Sequence, residues 1–370
     1  MNTRSVARTA FVLIPIGVSL AITSLLVVSV GQDPLAVFTK IWEGAFRNTE
    51  STAGVVNFWI PLVLCGMGLV LTFTAGLWNI GVEGQMMMGA LFASWAARTL
   101  PLPPLVLVPV EIVLAMLGGA LWGLLVGVLK LRFGVHEIFG GVGLNAIASV
   151  YAIYLIAGPW APPTGGTAQA TDPFPPDSLL LPMADSFPVS MLALAITAIA
   201  IVTVIVVLRR TRWGLELKAT GRNSRSALLL GVATTRTMLS AFMVCGMLAG
   251  IGGAYRVLFT YDSLRPNVSG GIGFLGLLVV LLTGSRALWV PLVTFAFAAI
   301  LAGSTRLRIA LGLDASLAGV LQGTLVLVVL LFNGVRERLL LRRAASADGG
   351  ASPASAAPTP EVSAKAAAHE

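Results

Sequence analysis

The sequence predicts an all-α fold, a polytopic membrane bundle of about ten transmembrane helices (eight to ten). Three observations predict it. Hydrophobic residues make up 56% of the 370 and charged residues only 11%, with a mean hydropathy of +0.90; a soluble domain carries about 25% charge because its surface faces water. Apolar runs long enough to cross a bilayer, about 20 residues each, recur along the chain. Basic residues crowd some of the intervening segments and are missing from others, which is how a chain is oriented in lipid.

The runs fall near residues 10–30, 55–75, 80–97, 105–129, 138–158, 188–208, 237–258, 271–283, 288–303 and 315–332. The first follows Arg4 and Arg8 but is longer than a signal-peptide core, and no small-x-small cleavage site stands ahead of Gln32 and Asp33, so it is read as an uncleaved span. The third and eighth are short and rich in glycine, which suggests broken or re-entrant helices. Residues 10–335 form the transmembrane domain, preceded by a short cytoplasmic segment, 1–9.

Charge sets the orientation. Segment 209–236 holds seven basic residues (Arg209, Arg210, Arg212, Lys218, Arg222, Arg225, Arg236) against Glu216, a net of +6. Segment 159–187 has no Lys or Arg, only Asp172, Asp177 and Asp185. The positive-inside rule makes the first cytoplasmic and the second external. Lys130, Arg132, Arg336, Arg338, Arg342 and Arg343 also fall inside, and both termini are cytoplasmic; Arg306 and Arg308 fall outside in this count. Seven prolines between Pro159 and Pro182 make the external segment a long irregular loop. From Ala344 onward the tail has no Leu, Ile or Phe. It cannot bury enough apolar surface to offset its ordering entropy, so 344–370 is expected to be disordered.

Several chemistries are excluded. The two cysteines, Cys65 and Cys245, lie inside apolar runs and read as buried thiols. With only His136 and His369 beside them they form no metal spacing and no disulfide framework. No catalytic Ser/His/Asp constellation is present, and no G-x-x-x-x-G-K-[ST] loop cradles ATP phosphates. Gly271, Gly273 and Gly276 match G-x-G-x-x-G but without the strand–turn–helix context of a dinucleotide site, so they read as a tightly packed helix start. The net charge of +8 is loop charge rather than a nucleic-acid surface, and the partner it implies is membrane lipid.

Polar groups inside apolar runs are the informative ones. Gly76-Leu-Trp-Asn-Ile-Gly-Val-Glu-Gly-Gln85 places Asn79, Glu83 and Gln85 between two apolar runs. A charge at mid-bilayer costs about 2.5–3.5 kcal/mol even on the lenient insertion scale, so Glu83 faces protein or a water-filled cavity. Gly76, Gly81 and Gly84 break the helix and free backbone groups that need partners. Glu83 reads either as a contact on a transport path or as a residue at the cytoplasmic interface that caps or braces a helix end. Asn145, in the fifth run, reads as an interhelical hydrogen bond or a pore-lining amide. Glu111, a turn or two inside the Pro101–Pro104 loop, can reach the outer interface and is left out of the site. Gly119, Gly123 and Gly127, with Ala115, and Gly246 with Gly250 are small residues at four-residue spacing; such stripes let helix backbones approach, within a subunit or at a dimer seam. In the basic loop, Ser224 offers a helix N-cap ahead of Ala227–Leu230, with Gly231 as the stop. This short amphipathic helix either lies on acidic lipid or serves a soluble partner.

Asn79-Ile-Gly-Val-Glu-Gly-Gln85 with Gly89-Ala90, then Leu144-Asn145, then Ala219-Thr-Gly-Arg-Asn223 with Leu230-Gly231, then Ser269-Gly-Gly-Ile-Gly-Phe274 occur in that order. Over residues 55–332 this resembles the permease subunit of ABC importers of the branched-chain amino acid and simple-sugar type, with the nucleoside-uptake branch closest in look. Phe139-Gly-Gly-Val-Gly143 is richer in glycine than the family pattern, and Leu275 stands where that pattern has a small polar or acidic residue. The resemblance implies a bundle that pairs with a second permease (identical or not), two cytoplasmic ATPase domains and an external substrate-binding lipoprotein, in a bacterial cytoplasmic membrane. The chain itself is then no enzyme and carries no cofactor, ATP being bound by the partner subunits. Gly221, Arg222, Asn223, Arg225, Leu230 and Gly231 become the ATPase-coupling helix. Trp78, Asn79, Glu83, Gln85, Asn145 and Phe274 become pathway residues, the aromatics placed to stack on a base and the amides to bond ribose or base edges. A nucleoside is the expected solute. A sugar or branched-chain amino acid is the alternative, and an ion-coupled carrier or a structural membrane subunit stand further off, since the former needs several mid-membrane acids.

Overall fold

In the computed structural model, residues 17–18, 20–29, 31–163, 169–311, 319–320, 322–324, 326–329 and 331 are described. Segment 1–9, the tail 344–370, Arg336, Arg338, Arg342, Arg343, the side chains of Arg306 and Arg308 and most of the run 315–332 lie outside them. The described residues form an all-α bundle. In order the helices are α1 (Leu20–Ser29), α2 (Pro34–Phe46), α3 (Thr49–Thr74), α4 (Val82–Thr99), α5 (Pro104–Phe133), α6 (Glu137–Ala157), α7 (Met191–Arg210), α8 (Arg212–Arg222), α9 (Ser224–Leu229), α10 (Thr234–Tyr255), α11 (Ile272–Leu282) and α12 (Val290–Leu311). A π turn, Arg256–Thr260, extends α10.

The second to ninth expected runs are all helices. Five are long and apolar enough to cross a membrane alone (α3, α5, α6, α7 and α10 with its π turn), or six spans when α1 and α2 count as one broken one. α11 and α12 supply shorter apolar stretches, Ile272–Leu282 and Val290–Thr305. α2 is absent from the sequence reading; its Lys40–Glu43 pair at 2.8 Å and its mixed faces hide it from a search for apolar runs.

The helices begin where capping chemistry places them. Asn48 accepts from the Ser51 N–H at 2.8 Å, and Ser190 and Thr211 cap α7 and α8. These side chains satisfy amide groups that a first turn leaves open. α5 ends on Gly134 at φ 69°, the left-handed stop that glycine accepts without strain. At α9 the cap is Asn223, whose Oδ1 accepts from the Ser226 N–H at 3.0 Å, and not Ser224 as expected, because Asn223 is the last extended residue and Ser224 is already in the first helical turn.

α3 and α10 run through the centre and α7 along the rim: 72% of the most apolar window of α3 is buried against 28% for α7. α4, α5 and α10 form the tightest group. A Cβ added to Gly119 would run into the backbone oxygen of Gly246, one on Gly89 into Gly250, and one on Gly250 into Ala115. The small-residue stripes therefore join helices within this subunit, where dispersion between close backbones replaces the missing hydrophobic drive. Residues 158–163 and 169–190 have little regular structure. They are held across the bundle end by amides of Thr171, Phe174 and Leu180 donating to carbonyls of Leu264, Asp262 and Leu258.

A buried polar cluster where two broken helices meet

After α3 ends at Thr74, the chain turns at Gly76, whose φ of 75° suits glycine, and runs non-helically to Gly81. This stretch folds back into the bundle. Asn79 Nδ2 donates to Cys245 Sγ at 3.1 Å, and Cys245 faces Gly68 of α3. Gly68 lies six residues before the end of α3, about 9 Å along the axis at 1.5 Å per residue. α4, 18 residues long, therefore starts inside the bundle, level with the interior of α3 rather than with its end. On the other side, residues 261–271 return from the end of α10, and α11 starts at Gly271, φ 79°.

The two breaks meet at Glu83, in the first turn of α4. Its Oε1 accepts from the Gly271 N–H at 2.9 Å and its Oε2 from the Gly273 N–H at 2.7 Å. Open amides and the positive end of the helix dipole favour a carboxylate there. Glu83 is 8% exposed. This is the geometry of a brace at a helix start. Asn79 and Gln85 pair their amides reciprocally, Nδ2 to Oε1 at 3.1 Å and Nε2 to Oδ1 at 3.0 Å, and both are fully buried. Asn145 of α6 accepts from the Gly84 N–H at 2.7 Å and donates to the Ile80 carbonyl at 2.9 Å, so it satisfies two backbone groups freed by the break. Four of the six expected pathway residues thus form one cluster whose polar atoms bond one another and the backbone.

The other two lie elsewhere. Trp78 packs its ring on Phe73 with centroids 5.1 Å apart and Phe274 stands in the first turn of α11; they are 43% and 44% exposed. Cys65 and Cys245 are buried free thiols. Among the described residues no group of His, Cys, Asp and Glu could hold a metal ion. Glu111, expected to reach the outer interface, is instead fully buried, since Ala115, one turn along the same face of α5, packs on Gly250 of α10; among the described residues neither carboxylate oxygen has a hydrogen-bond partner.

Two groups escaped sequence reasoning. Glu137 pairs with Lys130 at 2.5 Å across the α5–α6 turn, and its Oε1 lies 3.5 Å from the Trp78 N–H. Arg256, 3% exposed, donates from Nε to the Val268 carbonyl at 3.1 Å and from Nη2 to the Tyr261 hydroxyl. It lies over the rings of Phe58 and Tyr261 at 5.3 and 4.5 Å, fastening 261–271 to α10. A cation within an apolar run is the signal that could have found it.

The basic loop is moored to the bundle. Trp213 Nε1 donates to Ser240 Oγ at 3.0 Å, Lys218 Nζ donates to the Leu208 carbonyl, and Leu217 is fully buried. At the end of α8, Gly221 sits directly on the start of the unwound stretch. A Cβ on Gly221 would lie 2.9 Å from the Gly76 nitrogen and 3.0 Å from the Ala75 carbonyl carbon, and closer still to the Thr74 oxygen. Beyond it, Arg222, Asn223, Arg225 and Gly231 are exposed, and Leu228, Leu229 and Leu230 are 59%, 84% and 83% exposed, an apolar patch among cations.

Comparison with known proteins adds the following. The family model described as branched-chain amino acid transport system / permease component matches residues 51–330. A glucose ABC transporter permease protein of Haloferax volcanii is 28% identical, over 84% of this chain and 84% of the relative. A guanosine ABC transporter permease protein of Bacillus subtilis is 26% identical, over 86% and 91%. A nucleoside ABC transporter permease protein of Lactococcus lactis subsp. cremoris is 24% identical, over 76% and 79%. No solved structure matches.

Proposed function

The chain belongs to the branched-chain amino acid transport system / permease component family, a multi-pass ABC transporter permease and not itself an enzyme, and from that premise we propose that it carries a nucleoside inward across a bacterial cytoplasmic membrane. In this reading an external lipoprotein delivers the solute. A second permease subunit completes the path, and two cytoplasmic ATPase domains bind ATP and drive alternating access. The basic loop then faces the cytoplasm and the Pro-rich segment faces outward.

The observation that carries the reading is the seat of Gly221 on Thr74–Gly76. The exposed Leu228–Leu230 patch, ringed by Arg222 and Arg225, is the surface an ATPase would grip, and Asn223, Leu230 and Gly231 set its shape. Motion of α8 bears on the broken helix without an intervening side chain to absorb it. Guanosine and nucleoside permeases among the relatives favour a nucleoside over a sugar, and Phe274, half exposed beside the Glu83 junction, offers a ring for base stacking. A sugar remains the second reading because of the glucose permease relative.

The test is uptake of labelled nucleosides in cells producing the chain with its ATPase, with sugars and amino acids as competitors. Nucleosides are expected to compete and the others not. Gly221→Val is expected to abolish uptake while leaving the protein in the membrane; normal uptake in that variant would remove the coupling role.

A further inference from the structure

An apolar groove of about 490 Å³ opens on the bundle surface between α4, α5 and α6. Met88, Leu91, Phe92 and Trp95 line it from α4 at the spacing of one helix face, and Tyr151, Leu155 and Trp160 close it from the other side. The next position on that α4 face is Arg98, in the last turn, with its guanidinium 5.6 Å from the centre of the Trp160 ring. Among the described residues Arg98 has no ion pair and no hydrogen-bond acceptor. Trp95 and Tyr151 are 45% and 46% exposed, the kind of ring that collects at the headgroup level of a bilayer.

We propose that this groove holds one acyl chain of a phospholipid, with the phosphate on Arg98. In a membrane the groove is filled by whatever the bilayer offers. A flexible chain follows the groove along α4. Among the described residues the groove lining carries no acid, and Arg98 stands one turn beyond Trp95 against the Trp160 ring, which matches an anionic phosphate; a guanidinium fork suits its oxygens. Stacking on Trp160 holds the guanidinium over the groove mouth.

The test reconstitutes the full chain in vesicles containing phosphatidylglycerol with a photoactivatable acyl chain, and maps the labelled peptides by mass spectrometry. Labelling is expected to concentrate at 88–95 and 151–155 over the exposed α7 face around Ile199 and Val202. Unlabelled phosphatidylglycerol and phosphatidylcholine should compete, and a monoacylglycerol without phosphate should not. Arg98→Ala should cut labelling about tenfold, the weight of one charge-assisted hydrogen bond, and Leu91→Trp, which fills the groove, should abolish it in protein that still inserts. Equal labelling of the α7 face, insensitivity to Arg98→Ala, or competition by the monoacylglycerol would overturn the proposal, as would a cysteine cross-link showing a second permease chain seated at position 95.

Discussion

Glu83→Gln separates a brace from a solute contact. The carboxylate receives two amide hydrogens, Gly271 at 2.9 Å and Gly273 at 2.7 Å. Glutamine keeps one acceptor and turns an NH₂ toward the other amide. One charge-assisted hydrogen bond is lost, about 1.5–3 kcal/mol, and the negative charge leaves the start of α11, about 0.3–1 kcal/mol, so the expected destabilisation is about 2–4 kcal/mol. Gly273→Ala perturbs the same contact from the other side, since its Cβ would lie 2.5 Å from Glu83 Oε2 and 2.9 Å from the Glu83 nitrogen. The assay is the thermal midpoint of the purified chain in detergent alongside uptake in vesicles with the ATPase present. Each variant should lower the midpoint, and the double variant should lower it by less than the two effects added, because both break one contact. A wild-type midpoint for Glu83→Gln with uptake lost would refute the brace and make the carboxylate a contact for the solute.

Three further outcomes rest on the same packing and hydrogen bonds. Asn145→Ala leaves the Gly84 N–H and the Ile80 carbonyl unsatisfied, about 1–3 kcal/mol each, and should lower the thermal midpoint more than Asn145→Asp, which keeps the bond to Gly84. Gly246→Ala should reduce the yield of folded, monodisperse protein, since its Cβ would lie 2.7 Å from the Gly119 carbonyl carbon and 3.1 Å from the Ala120 nitrogen and overpacking costs about 1–3 kcal/mol; wild-type yield would show that α5 and α10 have room to part. Glu111→Leu should raise the midpoint by the equivalent of about 1–3 kcal/mol, because an unpartnered buried polar group is replaced by an apolar one; a fall would reveal a partner for the carboxylate.

The membrane runs were legible in the sequence because lipid burial needs only local hydropathy. The break around Asn79 was legible for a related reason: three glycines and three polar side chains cannot continue an apolar helix. What Glu83 touches was not legible. Its partners lie 188 and 190 residues away, and nothing local distinguishes a carboxylate facing a cavity from one facing a helix start. The stripes at Gly119 and Gly246 announced close packing, but which helices face each other is a property of the whole bundle. α2 stayed hidden because it packs on α12 and carries charge on its open face, so no continuous apolar run marks it.

The polar cluster also bears on where a solute could be held. Unwound backbone inside a membrane survives only when its freed groups find partners. Here Asn145 serves Ile80 and Gly84, Glu83 serves Gly271 and Gly273, and Asn79 and Gln85 serve each other. A cluster satisfied in this way needs neither water nor solute to persist, and opening it for a ligand would cost the desolvation it now avoids. Recognition under the proposed function therefore falls more naturally on groups that keep open surface at the junction, Phe274 foremost. The buried cluster acts as a frame that, through Glu83, fixes where α11 begins. Because that frame starts at Gly76, against which Gly221 rests, under the proposed function a displacement of α8 would reach the Phe274 end through backbone and short hydrogen bonds rather than through loosely packed side chains.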